Sequence, residues 1–231
     1  MRRRVVLSVL VLLLVGAYVA SYPKYPEVRG CVNPFAVVKP VSVTQENWSS
    51  VHVFFKLLMS RDFRKMAKPW DVDYSRVKVA KHVLEYKGEK ITMTAIAISL
   101  KDKKHIVTLY EFSKPVQGVK VITYEYQITD SKLKAVKMGI NGEVRTLSSC
   151  KHECQSDSDC GSLIDGILPS GKCNHYCCEF NLAAAAACCI ACVGPGGEVN
   201  PICLFVACPL CIYSSCEEWG SYCSGWNPAG P

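Results

Sequence analysis

The chain has 231 residues, with 27 Lys and Arg against 20 Asp and Glu, and 15 cysteines. That length suggests one or two domains, and the distribution of charge and cysteine excludes a chemically uniform one. Residues 150–231 hold fourteen of the cysteines with two lysines and eight acids, a formal −6, whereas residues 1–149 carry 25 basic and 12 acidic side chains, +13.

The chain opens on Arg2, Arg3 and Arg4, then an apolar run from Val5 to Ala20 closed by small residues, Ala17, Ala20 and Ser21. A charged start, an apolar middle and a small-residue end are the layout of a secretory signal peptide. It is read as residues 1–21, with cleavage after Ala17 or after Ser21. The run is shorter than the roughly 20 residues a spanning helix needs; left uncut, it would still anchor the protein to a membrane. Export sets the chemistry of the rest. Outside the cell cysteines pair, whereas in a reducing compartment they would bind metal. Export also removes nucleic acid as a partner, although basic charge alone would allow it.

Residues 22–149 read as a basic α+β domain. A Pro-rich stretch, Tyr22 to Pro40, leads into a helix over Thr44–Lys68, whose residues Val51, Phe54, Phe55, Leu57, Leu58 and Met59 recur near the 3.6-residue period. Thr44 is its expected cap and Pro69 its stop. Beyond Trp70 the apolar period becomes two, giving strands over Val77–Tyr86, Lys90–Leu100, His105–Phe112, Val119–Thr129, Leu133–Ile140 and Glu143–Leu147. Asn141-Gly142 between two of them is a strong hairpin signal. The stretch from Ile91 to Ile98 is apolar on both faces, as befits a central strand covered on both sides. The expected fold is a helix packed on an antiparallel meander.

No catalytic constellation appears in this domain. His52, His82 and His105 are isolated, and Asp71 and Asp73 fit a solvated loop before the sheet. Lys101, Lys103, Lys104, Lys114, Lys120, Lys132, Lys134 and Lys137 fall at turns or alternate along strands. They read either as a solvated, edge-protecting face or as a docking surface for an acid, the nearest being the C-terminal module. Asn47-Trp48-Ser49 is a glycosylation sequon in an exported chain.

Residues 150–231 are a disulfide scaffold by composition. The fourteen cysteines are Cys150, Cys154, Cys160, Cys173, Cys177, Cys178, Cys188, Cys189, Cys192, Cys203, Cys208, Cys211, Cys216 and Cys223. An even number allows seven bridges within the module, of unknown connectivity, and leaves Cys31 free or pairing between chains. Up to Cys178 the module is polar and loop-like. Two apolar runs follow, Asn181–Val193 and Ile202–Tyr213, separated by Gly194-Pro195-Gly196-Gly197. Ala is the best helix former and Asn181 a ready N-cap, so the runs predict a helical hairpin. Each arm is about 18 Å long, too short to cross a bilayer core of about 30 Å. Cys188 and Cys192 share one helix face, as do Cys208 and Cys211, so facing thiols could staple the arms. Such a hairpin is either the buried core of the module or a surface kept for a membrane or target. Cys189-x2-Cys192 and Cys208-x2-Cys211 also have zinc-site spacing, but they sit inside apolar helices of an exported chain. No cofactor and no enzymatic activity are expected.

The Cys188-Cys189-Ile190-Ala191-Cys192 run, the Gly196-Gly197 break and the series from Cys203 through Cys216 to Cys223, behind an exported N-terminal domain, resemble the C8-type halocins, archaeal peptide antibiotics. The resemblance lies in motifs over about residues 177–223 and elsewhere in architecture alone; the polar Cys150–Cys173 segment departs from it. It implies that the C-terminal part is a secreted antimicrobial peptide acting at a target-cell membrane or surface, and that the N-terminal part is an immunity domain binding it. Processing would then fall around Leu147, Ser148 and Ser149. Independently, a +10 domain (residues 22–149) joined to a −6 module predicts salt-sensitive docking by charge. The competing reading is a secreted or surface-attached structural or binding protein whose disulfide module is permanent.

Overall fold

The computed structural model describes residues 33–129, 132–147, 150–160 and 171–224. The expected signal segment 1–21, Cys31, Ser148 and Ser149 lie outside the described residues. Within them the chain is a mixed α/β protein built on one antiparallel sheet of nine strands. These are β1 (Lys39–Glu46), β2 (Val72–Tyr86), β3 (Glu89–Leu100), β4 (His105–Val116), β5 (Val119–Ile128), β6 (Lys132–Ile140), β7 (Glu143–Thr146), β8 (Lys172–Asn181) and β9 (Cys216–Ser224). The spatial order is β1-β2-β3-β4-β5-β6-β8-β9, with β7 pairing the second half of β6 and β8 its first.

The meander from β2 to β7 follows from the period-two pattern. Asn141 and Gly142 both have positive φ, 50° and 98°, as does the pair Lys87 and Gly88 at 51° and 80°. Two left-handed residues in a row make the tight turn whose twist matches a hairpin, and glycine accepts the second at no steric cost. β3 lies between β2 and β4 and is covered on both faces: Ile91, Met93, Ala95 and Ala97 join one buried cluster, Ile96 and Ile98 the other.

The single helix expected over 44–68 is not formed. The chain gives a strand and two shorter helices, α1 (Ser50–Met59) and α2 (Arg61–Met66). Thr44 to Glu46 pair with β2 instead of capping a helix. Ser60 is extended and its hydroxyl accepts the Phe63 amide at 3.2 Å, so it ends α1 and caps α2. Val53 and Leu57 of α1 and Phe63 of α2 pack on one face of the sheet with Val79, Ile96, Ile98, Val107 and Leu109.

The opposite face carries the larger core and the Cys-rich helices α3 (Leu182–Cys188), α4 (Pro201–Ala207) and α5 (Pro209–Ser214). Asn181 caps α3, its side chain accepting from the Ala184 amide at 3.0 Å, and Asn200 caps α4 in the same way. The end of the polar stretch read as loop supplies part of β8, and residues 216–224, beyond the second apolar run, supply β9. β8 extends the N-terminal sheet through Lys132↔Asn181, Leu133↔Phe180 and Lys134↔Glu179. Residues on either side of position 150 therefore share one sheet and one core. No helix among the described residues is long and apolar enough to cross a membrane.

Candidate functional site

Seven disulfides pair all fourteen cysteines from Cys150 to Cys223: Cys150–Cys178, Cys154–Cys173, Cys160–Cys223, Cys177–Cys216, Cys188–Cys211, Cys189–Cys208 and Cys192–Cys203. None reaches residues 33–147. The last three form a ladder that ties the two apolar runs together, with Cα separations of 5.6, 6.1 and 5.4 Å. All four cysteines of the zinc-spaced motifs lie in its rungs, Cys189 with Cys208, Cys192 with Cys203 and Cys211 with Cys188, so as disulfides they offer no thiolate to a metal. The same holds for Cys154, Cys160 and Cys223, whose sulfurs lie close together but in two bridges. Bridging on this scale is typical of extracellular proteins.

The stapled hairpin sits on an aromatic floor. Phe35 and strands β4 and β5 supply Tyr110, Tyr124 and Tyr126; the Cys-rich region supplies Phe180, Phe205 and Tyr213, all buried. Tyr126 stacks on Phe205 at 4.5 Å between ring centres and Phe35 on Tyr213 at 4.1 Å. Phe180 meets both Tyr126 and Tyr213 edge-on, at 5.4 and 5.8 Å. Burial holds the phenols of Tyr110, Tyr124, Tyr126 and Tyr213 protonated, above the usual tyrosine range. The floor is joined mainly through the faces and edges of these rings.

Two polar bonds fix where the hairpin lies. The C-terminal carbonyls of a helix have no partner within it. The carbonyl of Phe205 accepts the Tyr110 hydroxyl at 3.1 Å, and that of Val206 meets His82 Nε2 at 2.7 Å. A carbonyl only accepts, so Nε2 is the nitrogen that carries the proton in the neutral ring. Burial pulls the His82 pKa below the usual histidine value, which favours that neutral ring.

Beside His82 lies an apolar cavity of about 330 Å³ between the β1–β2 edge and α5. Its wall includes Leu84, Met93, Pro209, Leu210 and the Cys188–Cys211 bridge, with Lys39 at its polar margin. The outward side of the hairpin is also apolar. Ala183, Ala184, Ala187 and Ala191 are exposed there, with Ile190 73% exposed.

Charge is a minor part of this seam. Lys132 meets Glu179 and Glu217, and Arg145 meets Glu153 at 3.4 Å. These groups are partly exposed, and such pairs contribute little. Of the other lysines read as a docking face, Lys134 pairs through its backbone with Glu179 at the seam, while Lys114 meets Glu89 at 2.6 Å and Lys137 meets Glu125 at 2.7 Å, both within the N-terminal sheet. Asn47 is exposed between β1 and α1. Leu147, at the expected processing region, is buried and its amide donates to the Val136 carbonyl at 2.8 Å.

Two other histidines, His105 and His52, do local work. His105 Nδ1 meets Asp102 at 2.6 Å, in a bond that closes its own turn, and His52 stacks on Trp48 at 4.2 Å. Sequence reasoning named His82 as an isolated histidine and missed its bond to the hairpin. Its signal was a polar side chain within the apolar alternation Ala80-x-His82-x-Leu84. Comparison with protein-family models, with curated proteins and with solved structures returned no match.

Proposed function

We propose that this is a secreted two-part protein in which the N-terminal sheet covers the apolar inner face of a disulfide-closed C-terminal peptide. In this reading residues 1–21 export the chain, residues 22–149 are the immunity part, and residues 150–231 are an antimicrobial peptide of the archaeal halocin type. The observation that carries it is the pattern of covalent closure. All seven bridges lie within 150–223, so one cut near Ser148 would leave two chains joined by non-covalent contact alone. The uncharged outer face of α3, with Ile190 exposed, supports a peptide that meets a membrane or an apolar target surface.

The continuous sheet through β6 and β8 favours a second reading, a permanent disulfide module in a secreted or surface-attached binding protein. The intact mass of the exported protein, with a growth-inhibition assay of its C-terminal piece, separates the two. Two species dividing near residue 148, inhibition by the smaller and relief by the larger support the first reading. One uncut, non-inhibitory chain gives the second.

A further inference from the structure

We propose that the outward face of α1, with α2 and Trp70, docks on an anionic lipid bilayer surface. The inference stands apart from the proposed function, because this face lies on the side of the sheet away from the hairpin.

α1 is apolar on two sides. Val53 and Leu57 are buried against the sheet, while Val51, Phe55, Leu58 and Met59 point away from it, exposed by 64, 56, 38 and 76%. The spacing i, i+4, i+7, i+8 places these four on one stripe. Single exposed apolar residues are ordinary; a stripe of four on one helix is an interaction surface. Trp70, in the turn that follows α2, is 67% exposed, with the Lys68 ammonium 5.7 Å from its ring centre. The Phe54 ring, beside Phe55, tilts against Tyr74 at 6.0 Å and ties α1 to the start of β2 near this turn.

The charge around the stripe names the partner. Between Asn47 and Trp70 the chain has five cations, Lys56, Arg61, Arg64, Lys65 and Lys68, and one acid, Asp62. Asp62 is 1% exposed, whereas Arg61, Arg64, Lys65 and Lys68 are all exposed. A second copy of the chain seated on this stripe would set the same four cations against one another, which opposes pairing. A soluble acidic partner would use the cations and leave the stripe wet. An anionic bilayer satisfies both, taking the apolar side chains and tryptophan at the headgroup boundary and the Lys and Arg at the phosphates.

The test uses the full chain as the host exports it, with vesicles of neutral phosphatidylcholine and vesicles enriched in anionic phosphatidylglycerol. Sedimentation is expected to show at least about tenfold preference for the anionic vesicles, with a blue shift of tryptophan emission that Trp70→Phe reduces. The double variant Phe55→Ser with Met59→Ser should weaken binding by about tenfold or more. Arg61→Glu with Arg64→Glu should remove the anionic preference. All these positions are exposed, so unchanged circular dichroism and a full disulfide count certify the variants. Binding that all the variants retain in full overturns the proposal, because it then comes from another part of the chain. So does a dimer that masks α1 and ignores vesicles.

Discussion

The imidazole of His82, on β2, donates to the carbonyl of Val206, at the end of α4, across 2.7 Å and 124 residues. With the Tyr110 bond to Phe205 it is one of two polar pegs between the sheet and the stapled hairpin, and it is buried. His82→Phe should leave the Val206 carbonyl without a donor, at about 1–3 kcal/mol, read by denaturant unfolding without reductant. The bond also sets a pH dependence. Burial lowers the folded pKa below 6.5, so the unfolded chain binds the proton first. The stability from this group is complete above pH 6.5 and is lost as pH falls from there through the folded pKa. In His82→Phe that acid-side loss should shrink.

How far the sequence carried depends on the kind of signal. The strands from β2 to β7 carry a period-two pattern or, in β3, a run apolar on both faces, and are punctuated by Gly88, Gly118 and Gly142, so their order could be read directly. β1 was hidden because Pro40 and a register shift between Pro40 and Ser42 break its alternation. Its residues from Thr44 onward were then absorbed into the helix that follows. β8 and β9 were hidden because cysteine, asparagine and glutamate fill positions where strands usually show branched or aromatic side chains. Their strand character comes from pairing with each other and with β6, a tertiary effect. The hairpin staples were legible as spacing and their partners were not. The charge asymmetry was legible in the sequence; the aromatic rings packed across the same join were not.

Asp62 presents the opposite titration. Its carboxyl is buried on α2, and burial raises its pKa to about 6, against partial compensation by the Gly142 backbone, the Lys65 ammonium and the Thr123 hydroxyl. A raised folded pKa means the strain is absent below the unfolded value near 3.8 and grows as pH rises through about 6. Asp62→Asn should therefore stabilise the protein by about 1–3 kcal/mol at pH 8 and by almost nothing at pH 3.5. Melting curves at the two pH values give the comparison, and an equal effect at both would contradict the burial argument.

The bridges should differ in worth according to the loop each closes. Cys192–Cys203 spans 11 residues and Cys160–Cys223 spans 63. The chain-entropy relation gives about 3 kcal/mol for the first and about 4 kcal/mol for the second. Paired serine replacements, compared by urea unfolding without reductant, should fall in that order. Loss of the short rung should release the exposed side of the hairpin to protease while leaving β8 paired with β9.

A cut introduced between Leu147 and Cys150 should not separate the two parts. No bridge spans the cut, so what remains is three backbone pairs between β6 and β8, the bonds from His82 and Tyr110, and the packed rings. Apolar burial does not weaken with moderate salt, and surface ion pairs do. The cut protein should therefore co-elute as one species at low ionic strength and at about 1 M salt, where the Debye length is about 3 Å. That outcome would replace the salt-sensitive docking that the charge asymmetry alone suggests. Phe205→Ala removes the ring stacked on Tyr126 and should cost about 3–5 kcal/mol, enough to let the cut pieces part during gel filtration. If salt alone parts the unsubstituted pieces, the few ion pairs at Lys132 and Arg145 carry the join and the aromatic floor does not.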